Sequence, residues 1–216
     1  MDLPRTPVLR RSPLLYAALF AVPGLGLAVA GLFHPHSLSY ETSGLWYGLH
    51  LPGLLFFPLV GVALVMLVRG RTDLLSWAIR LTAYVYMTFY SALDVVSGIG
   101  AGYVTRELGP DVPRPDAVSL MFRIGTPLGE VGSYALMACV VLVLADAVRR
   151  MRVAALPGVL LLPGAYLVHV GHIFSPEGVV GMALLAVGSA ALAYAAATRA
   201  GGSAGNATSG ALHASP

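Results

Sequence analysis

Five side chains able to do chemistry, His50, Asp94, Glu130, His169 and His172, interrupt apolar helical segments of a 216-residue chain. Imidazole and carboxylate are ligand types of zinc, iron and manganese. An ionisable group at membrane depth is costly and marks a functional site by default. On this pattern Asp94 and Glu130 are the candidate catalytic groups, and His50, Asp94, His169 and His172 the candidate metal ligands. His169 and His172 are one helical turn apart, with Tyr166 adjoining, while Trp46 and Tyr47 precede His50 on its helix.

Residues three, four or seven apart share a side of a helix. The face of Asp94 thus carries Met87, Tyr90, Ser91, Ser97 and Gly98, and that of Glu130 carries Arg123, Thr126, Ser133 and Tyr134. Both stripes are expected to face protein or water. Hydroxyls beside imidazoles and carboxylates supply the bonds that orient metal ligands. Each residue also has a plainer role. Asp94 would bond a neighbouring hydroxyl, Glu130 would pair with Arg123, and His34 and His36 would rest at the membrane interface.

The elements that position these groups follow from composition. Hydrophobic residues make up 57% and charged residues 11%, against roughly 25% charged in a soluble domain, and the mean hydropathy is +0.78. Apolar runs of about 20 residues cross a bilayer as helices. Six are expected, at 14–33, 45–68, 76–101, 119–146, 153–173 and 178–198. The predicted fold class is all-α, a polytopic membrane bundle of six transmembrane helices in the cell membrane. Residues 1–13 form a cytoplasmic tail, 14–199 the bundle and 200–216 a flexible cytoplasmic tail rich in Gly and Ser.

Orientation comes from arginine, which supplies all thirteen basic residues. Arg5, Arg10, Arg11, Arg69, Arg71, Arg149, Arg150, Arg152 and Arg199 fall on one side if the spans alternate. By the positive-inside rule that side is the cytoplasm, so both termini are cytoplasmic. The opposite loops carry Arg106 and Arg114, balanced by Glu107, Asp111 and Asp116. The net charge of +3 therefore reflects membrane orientation, with the lipid bilayer as partner and no reason to invoke nucleic acid. At 1.5 Å per residue, Asp94 lies about 21 Å beyond Arg80 and Glu130 about 10 Å below Arg123. Both reach the outer half, beside His50, His169 and His172.

Other segments are simpler. Arg10-Arg11 before an apolar run ending near Ala28-Val29-Ala30 also fits a cleaved signal peptide, although the run is long enough to span. Cys139 is alone, which excludes an intrachain disulfide and a cysteine metal cluster. Asn206-Ala207-Thr208 matches a glycosylation acceptor on the wrong side of the membrane, and His213 is expected to be inert. Pro23, Pro58, Pro127 and Pro163 are expected to kink their helices. Gly98, Gly100 and Gly102 permit close helix approach.

Four of the candidates, His50, Asp94, His169 and His172, resemble in order the zinc-binding elements of the alkaline ceramidase and progestin-receptor-like membrane hydrolases. That resemblance implies zinc held by histidines of a middle and a final helix beside an Asp and a Ser. The chain departs from the pattern in three ways. The family separates its paired histidines by three residues, has Ser where Trp46 stands, and uses seven spans. Three function classes remain: a metal-dependent hydrolase with a metal-activated water; a haem- or quinone-binding redox protein with His50 and His169 or His172 as axial ligands; and a small-solute or proton-coupled carrier titrating Asp94 and Glu130. An accessory structural membrane protein is the default.

Overall fold

The computed structural model describes residues 12–110, 112–113 and 115–212, the last twelve by backbone alone. Arg5, Arg10, Arg11, Asp111, Arg114 and His213, which entered the charge and tail readings, lie outside the described residues. The helices are α1 (Pro13–Phe33), α2 (Tyr40–Met66) and α3 (Leu74–Leu93), the last running through a π turn (Asp94–Gly100) into α4 (Ala101–Leu108). Then come α5 (Asp116–Met151), a 3-10 stretch (Arg152–Leu160) leading into α6 (Leu161–Gly171), and α7 (Glu177–Leu212).

Local chemistry sets the ends. Ser39 caps α2 in a reciprocal box: its hydroxyl accepts from the Thr42 amide at 3.4 Å, and its amide donates to the Thr42 hydroxyl at 2.8 Å. This starts the helix five residues before the expected apolar run. Asp73 caps α3, accepting from the amide and hydroxyl of Ser76 at 3.1 and 2.9 Å. Those bonds hold its carboxyl down at about 2, so the cap is intact at neutral pH and is lost only as the pH falls through that value. Gly109 ends α4 at φ 87°, where a side chain would be strained. Pro163, expected to kink, falls in the first turn of α6, where the missing N–H costs least.

Among the described residues there is no strand, and four stretches are long and apolar enough to cross a membrane: Pro13–Phe33, Tyr40–Met66, Asp116–Gly171 and Glu177–Ala200. The expectation of six apolar spans differs here for two physical reasons. Asp116–Gly171 is two legs, because the backbone turns at Arg152 (φ 52°) and α6 packs back against α5. The leg formed by α3, the π turn and α4 is diluted by Arg80 and a series of tyrosines.

The molecule is apolar outside as well as inside. Leu15, Leu19, Val22 and Val29 of α1 and Ile124, Val131, Val141 and Val148 of α5 are exposed, as befits helices facing lipid tails. Within, α1 packs along α7, α3 along α5 and α6 along α7, while α2 lies against α3, the π turn and α4. Phe57, Tyr86, Tyr90, Leu136, Leu161 and Met182 fill the core between them.

One end is tied by arginines. Asp146, a buried carboxylate that the span pattern did not single out, accepts from Arg71 at 2.5 Å and from Arg150 Nε at 2.8 Å. Arg80 donates to the Arg71 and Val68 carbonyls, and Arg199 to that of Met151. The loop between α2 and α3 is thereby fastened to the end of α5, which is in turn tied to α7. A buried charge with both partners in place is the tolerable form of such a group.

Candidate functional site

The far end of the bundle holds the histidines. Trp46, His50 and Gly53 share one face of α2 and meet the leg of α3 through alternating glycines. Asp94 packs where a Cβ on Gly53 would be 3.0 Å from its Oδ2. The His50 ring lies where a Cβ on Gly98 would be 2.0 Å from its Cδ2, and Trp46 lies against Gly102. Trp46 Nε1 donates to the Ser97 carbonyl at 3.1 Å, pinning α2 to the π turn. On the other side Gly125, Gly129 and Gly132 of α5 receive Ser97, Leu93 and Tyr90. The glycine spacing thus serves close approach on both flanks of the leg.

His50 is buried, and its Nδ1–H donates to the Trp46 carbonyl at 2.6 Å. That bond fixes the tautomer and leaves Nε2 as an acceptor. Nε2 is 3.8 Å from Asp94 Oδ1, and neither carboxylate oxygen has a hydrogen-bond partner although Asp94 is 1% exposed. The hydroxyls expected to serve Asp94 are committed elsewhere. Ser97 donates to the Met121 carbonyl, and the Tyr90 hydroxyl is paired with His172 Nδ1 at 2.6 Å. Asp94 opens the π turn, and such turns recur at functional sites.

His34, expected at the interface, is buried instead. Its ring meets those of Trp46, His50 and Phe174 at centroid distances of 4.7, 5.0 and 4.7 Å. Its Nδ1–H donates to the Pro35 carbonyl at 2.8 Å, and its Nε2 is buried without a partner. It follows the last turn of α1, where helical spacing no longer predicts direction, so no linear pattern marks its position.

Two cavities flank His50. The larger, about 380 Å³, is bounded by Trp46, His50, Tyr90, Glu130, His169 and His172 among others; the smaller, about 80 Å³, by His50, Gly53, Asp94 and apolar side chains. The structure therefore brings His50, His169, His172 and Glu130 to one cavity and places Asp94 behind His50 in the other. His169 is held by Ser133, whose hydroxyl donates to the Glu130 carbonyl at 3.0 Å and accepts from His169 Nδ1–H at 2.8 Å. His172 ends α6 at φ 50°, an uncommon region for a residue with a Cβ, where strain often accompanies function.

Glu130 faces differently from expectation. The glycines of α5 take the buried face, leaving Glu130, Thr126 and Arg123 exposed. No ion pair joins Glu130 to Arg123 among the described residues. Glu130 borders the larger cavity from its rim.

Among the described residues no group of three or more His, Cys, Asp or Glu side chains is arranged to hold a metal ion. Comparison with protein-family models, curated proteins and solved structures finds no match. The likeness to the membrane hydrolases is confined to the four residues that suggested it. What the fold defines is a helical, membrane-type protein with an imidazole-lined cavity.

Proposed function

We propose that this is a six-span protein of the cell membrane, both termini cytoplasmic, with an outward-facing cation site on His50 and Asp94 beside a ligand cavity. One observation carries the reading: two buried acceptors, His50 Nε2 and Asp94 Oδ1, face each other at 3.8 Å with no donor between them. Facing lone pairs repel unless a positive charge lies between them. A hydrogen bond would draw them to about 2.8 Å. Two ligands at about 2.0–2.2 Å from one tetrahedral ion stand roughly 3.3–3.6 Å apart, close to the spacing present. His34, with its Nδ1 engaged, its Nε2 unpartnered and its ring centroid 5.0 Å from that of His50, is a further ligand candidate.

The residues fit zinc, iron or manganese by ligand type. A divalent metal there would activate water or polarise a carbonyl, which makes metal-dependent hydrolysis the favoured activity. The chain's own contribution is positional. Trp46 and Pro35 fix the tautomers of His50 and His34, and Ser133 fixes that of His169, whose Nε2 is left to exchange a proton with a ligand in the cavity. The lack of a formed three-ligand group favours one other reading. There the charge is a proton that rests on one of the pair and is shared with the other only as it moves, as a proton-coupled carrier would use.

Metal analysis with a visible spectrum, on protein purified in mild detergent, tests these readings. Stoichiometric zinc, iron or manganese without a Soret band is the expected result. A metal-free protein would leave the shared proton, and a Soret band would overturn both in favour of haem.

The topology rests on the arginines gathered at the end opposite the histidines. Reporters fused after Arg71 or Arg152 are expected to read cytoplasmic, and those within residues 105–115 external. An external signal at Arg152 would overturn the orientation.

A further inference from the structure

We propose that the larger cavity is loaded from the bilayer, through the seam between α5 and α6, by a single-chain amphiphile whose amine is received by Glu130. The proposal rests on the reading of this cavity as a ligand site and needs no metal at its floor.

The seam is formed by two legs of a stretch apolar enough to cross a membrane. Ile124, Val131 and Val170 are exposed along it and give it the apolar surface of a lipid-facing helix pair. Among them stand groups that a lipid-facing surface does not otherwise carry. Tyr134 and Tyr166 are each 57% exposed, and Glu130 and Thr126 are exposed and also border the cavity. A carboxylate on such a face, without an ion pair, is expensive, and its cost is offset when a cationic group docks there.

The interior suits the rest of such a molecule. From the Glu130 rim the cavity runs past Leu93, Phe122 and Val168, which accept methylene groups, to the imidazoles of His50 and His172. His169 stands at the threshold, its ring 4.8 Å from that of Tyr134. The complementarity of a single unpaired carboxylate selects an ammonium over an anionic headgroup. The aromatic faces of Tyr134 and Tyr166 add attraction for a cation.

The test uses the full chain in phosphatidylcholine vesicles and a long-chain primary amine with a diazirine at its tail, beside the matched alcohol and carboxylate. Amine labelling is expected at the inner wall of the cavity, within residues 46–50, 90–98 and 168–172, competed by dodecylamine. Glu130→Gln is expected to weaken it about tenfold, the scale of one charge-assisted hydrogen bond. Glu130→Lys is expected to turn the preference toward the carboxylate probe. Equal labelling by amine and alcohol, or labelling indifferent to Glu130→Gln, would overturn the proposal. Metal content measured on the same samples separates the two readings. Glu130-dependent labelling of a metal-free protein upholds the portal while defeating the metal, and metal-loaded protein without such labelling does the reverse.

Discussion

Asp94→Asn is expected to abolish stoichiometric metal binding while leaving the metal-free protein as thermally stable as the metal-free parent, or more so. The sign follows from the missing partners. Both carboxylate oxygens are buried without a hydrogen bond, and His50 Nε2, 3.8 Å from Oδ1, is itself an acceptor. An unsatisfied buried polar group costs about 1–3 kcal/mol, and more if charged. An Asn amide supplies the donor that this pair lacks, with little change of volume. The gain expected in metal-free protein is on the order of 1 kcal/mol, or a few degrees in Tm. Metal content and thermal unfolding measured together decide the matter. Normal metal in Asp94→Asn would remove Asp94 from the site, and a marked fall in Tm at unchanged metal content would show that it serves packing.

The same residue shows how far the sequence could be read. Apolar run length locates the helical legs to within a few residues at most ends, because burying or lipid-facing apolar helices leaves a strong linear signal. The α2 start was misplaced because a polar capping box, and no apolar residue, sets it. Helical spacing puts Ser91, Ser97 and Tyr90 on the Asp94 side of the helix, yet Asp94 packs against Gly53 of α2 while Ser97 and Tyr90 pack against Gly125 and Gly132 of α5. The Ser97 and Tyr90 hydroxyls are engaged elsewhere, and the π turn shifts the phase of the residues after Asp94, so arithmetic at 3.6 residues per turn fails across it. Glu130 was expected to face inward on its polar stripe. The stripe is real, but Gly125, Gly129 and Gly132 offer the closer approach to α3 and take the buried face. Tertiary packing chose the glycine face over the polar stripe that helical spacing marks.

Gly98→Ala is expected to disable the site without a ligand being touched. Its Cβ would lie 2.0 Å from Cδ2 and 2.4 Å from Cγ of His50, well inside any van der Waals distance. The ring has little room to yield. Its Nδ1–H is bonded to the Trp46 carbonyl, the Trp46 ring stacks on it at 5.4 Å, and the His34 ring closes another side at 5.0 Å. Either His50 swings away from Asp94 and breaks its backbone bond, or α2 and the π turn separate and loosen the Trp46–Ser97 bond. Overpacking of this kind costs about 1–3 kcal/mol, and both routes move Nε2 out of line with Asp94. Metal content is expected to fall below detection, with Tm lowered. Gly48→Ala is the control, since a Cβ there meets nothing within 4 Å. In a helix interior alanine is favoured over glycine by about 1 kcal/mol, so Gly48→Ala is expected to keep its metal and its stability. Full metal content in Gly98→Ala would show that the spacing of His50 and Asp94 does not govern cation binding, and would move the site to the His169 side of the larger cavity.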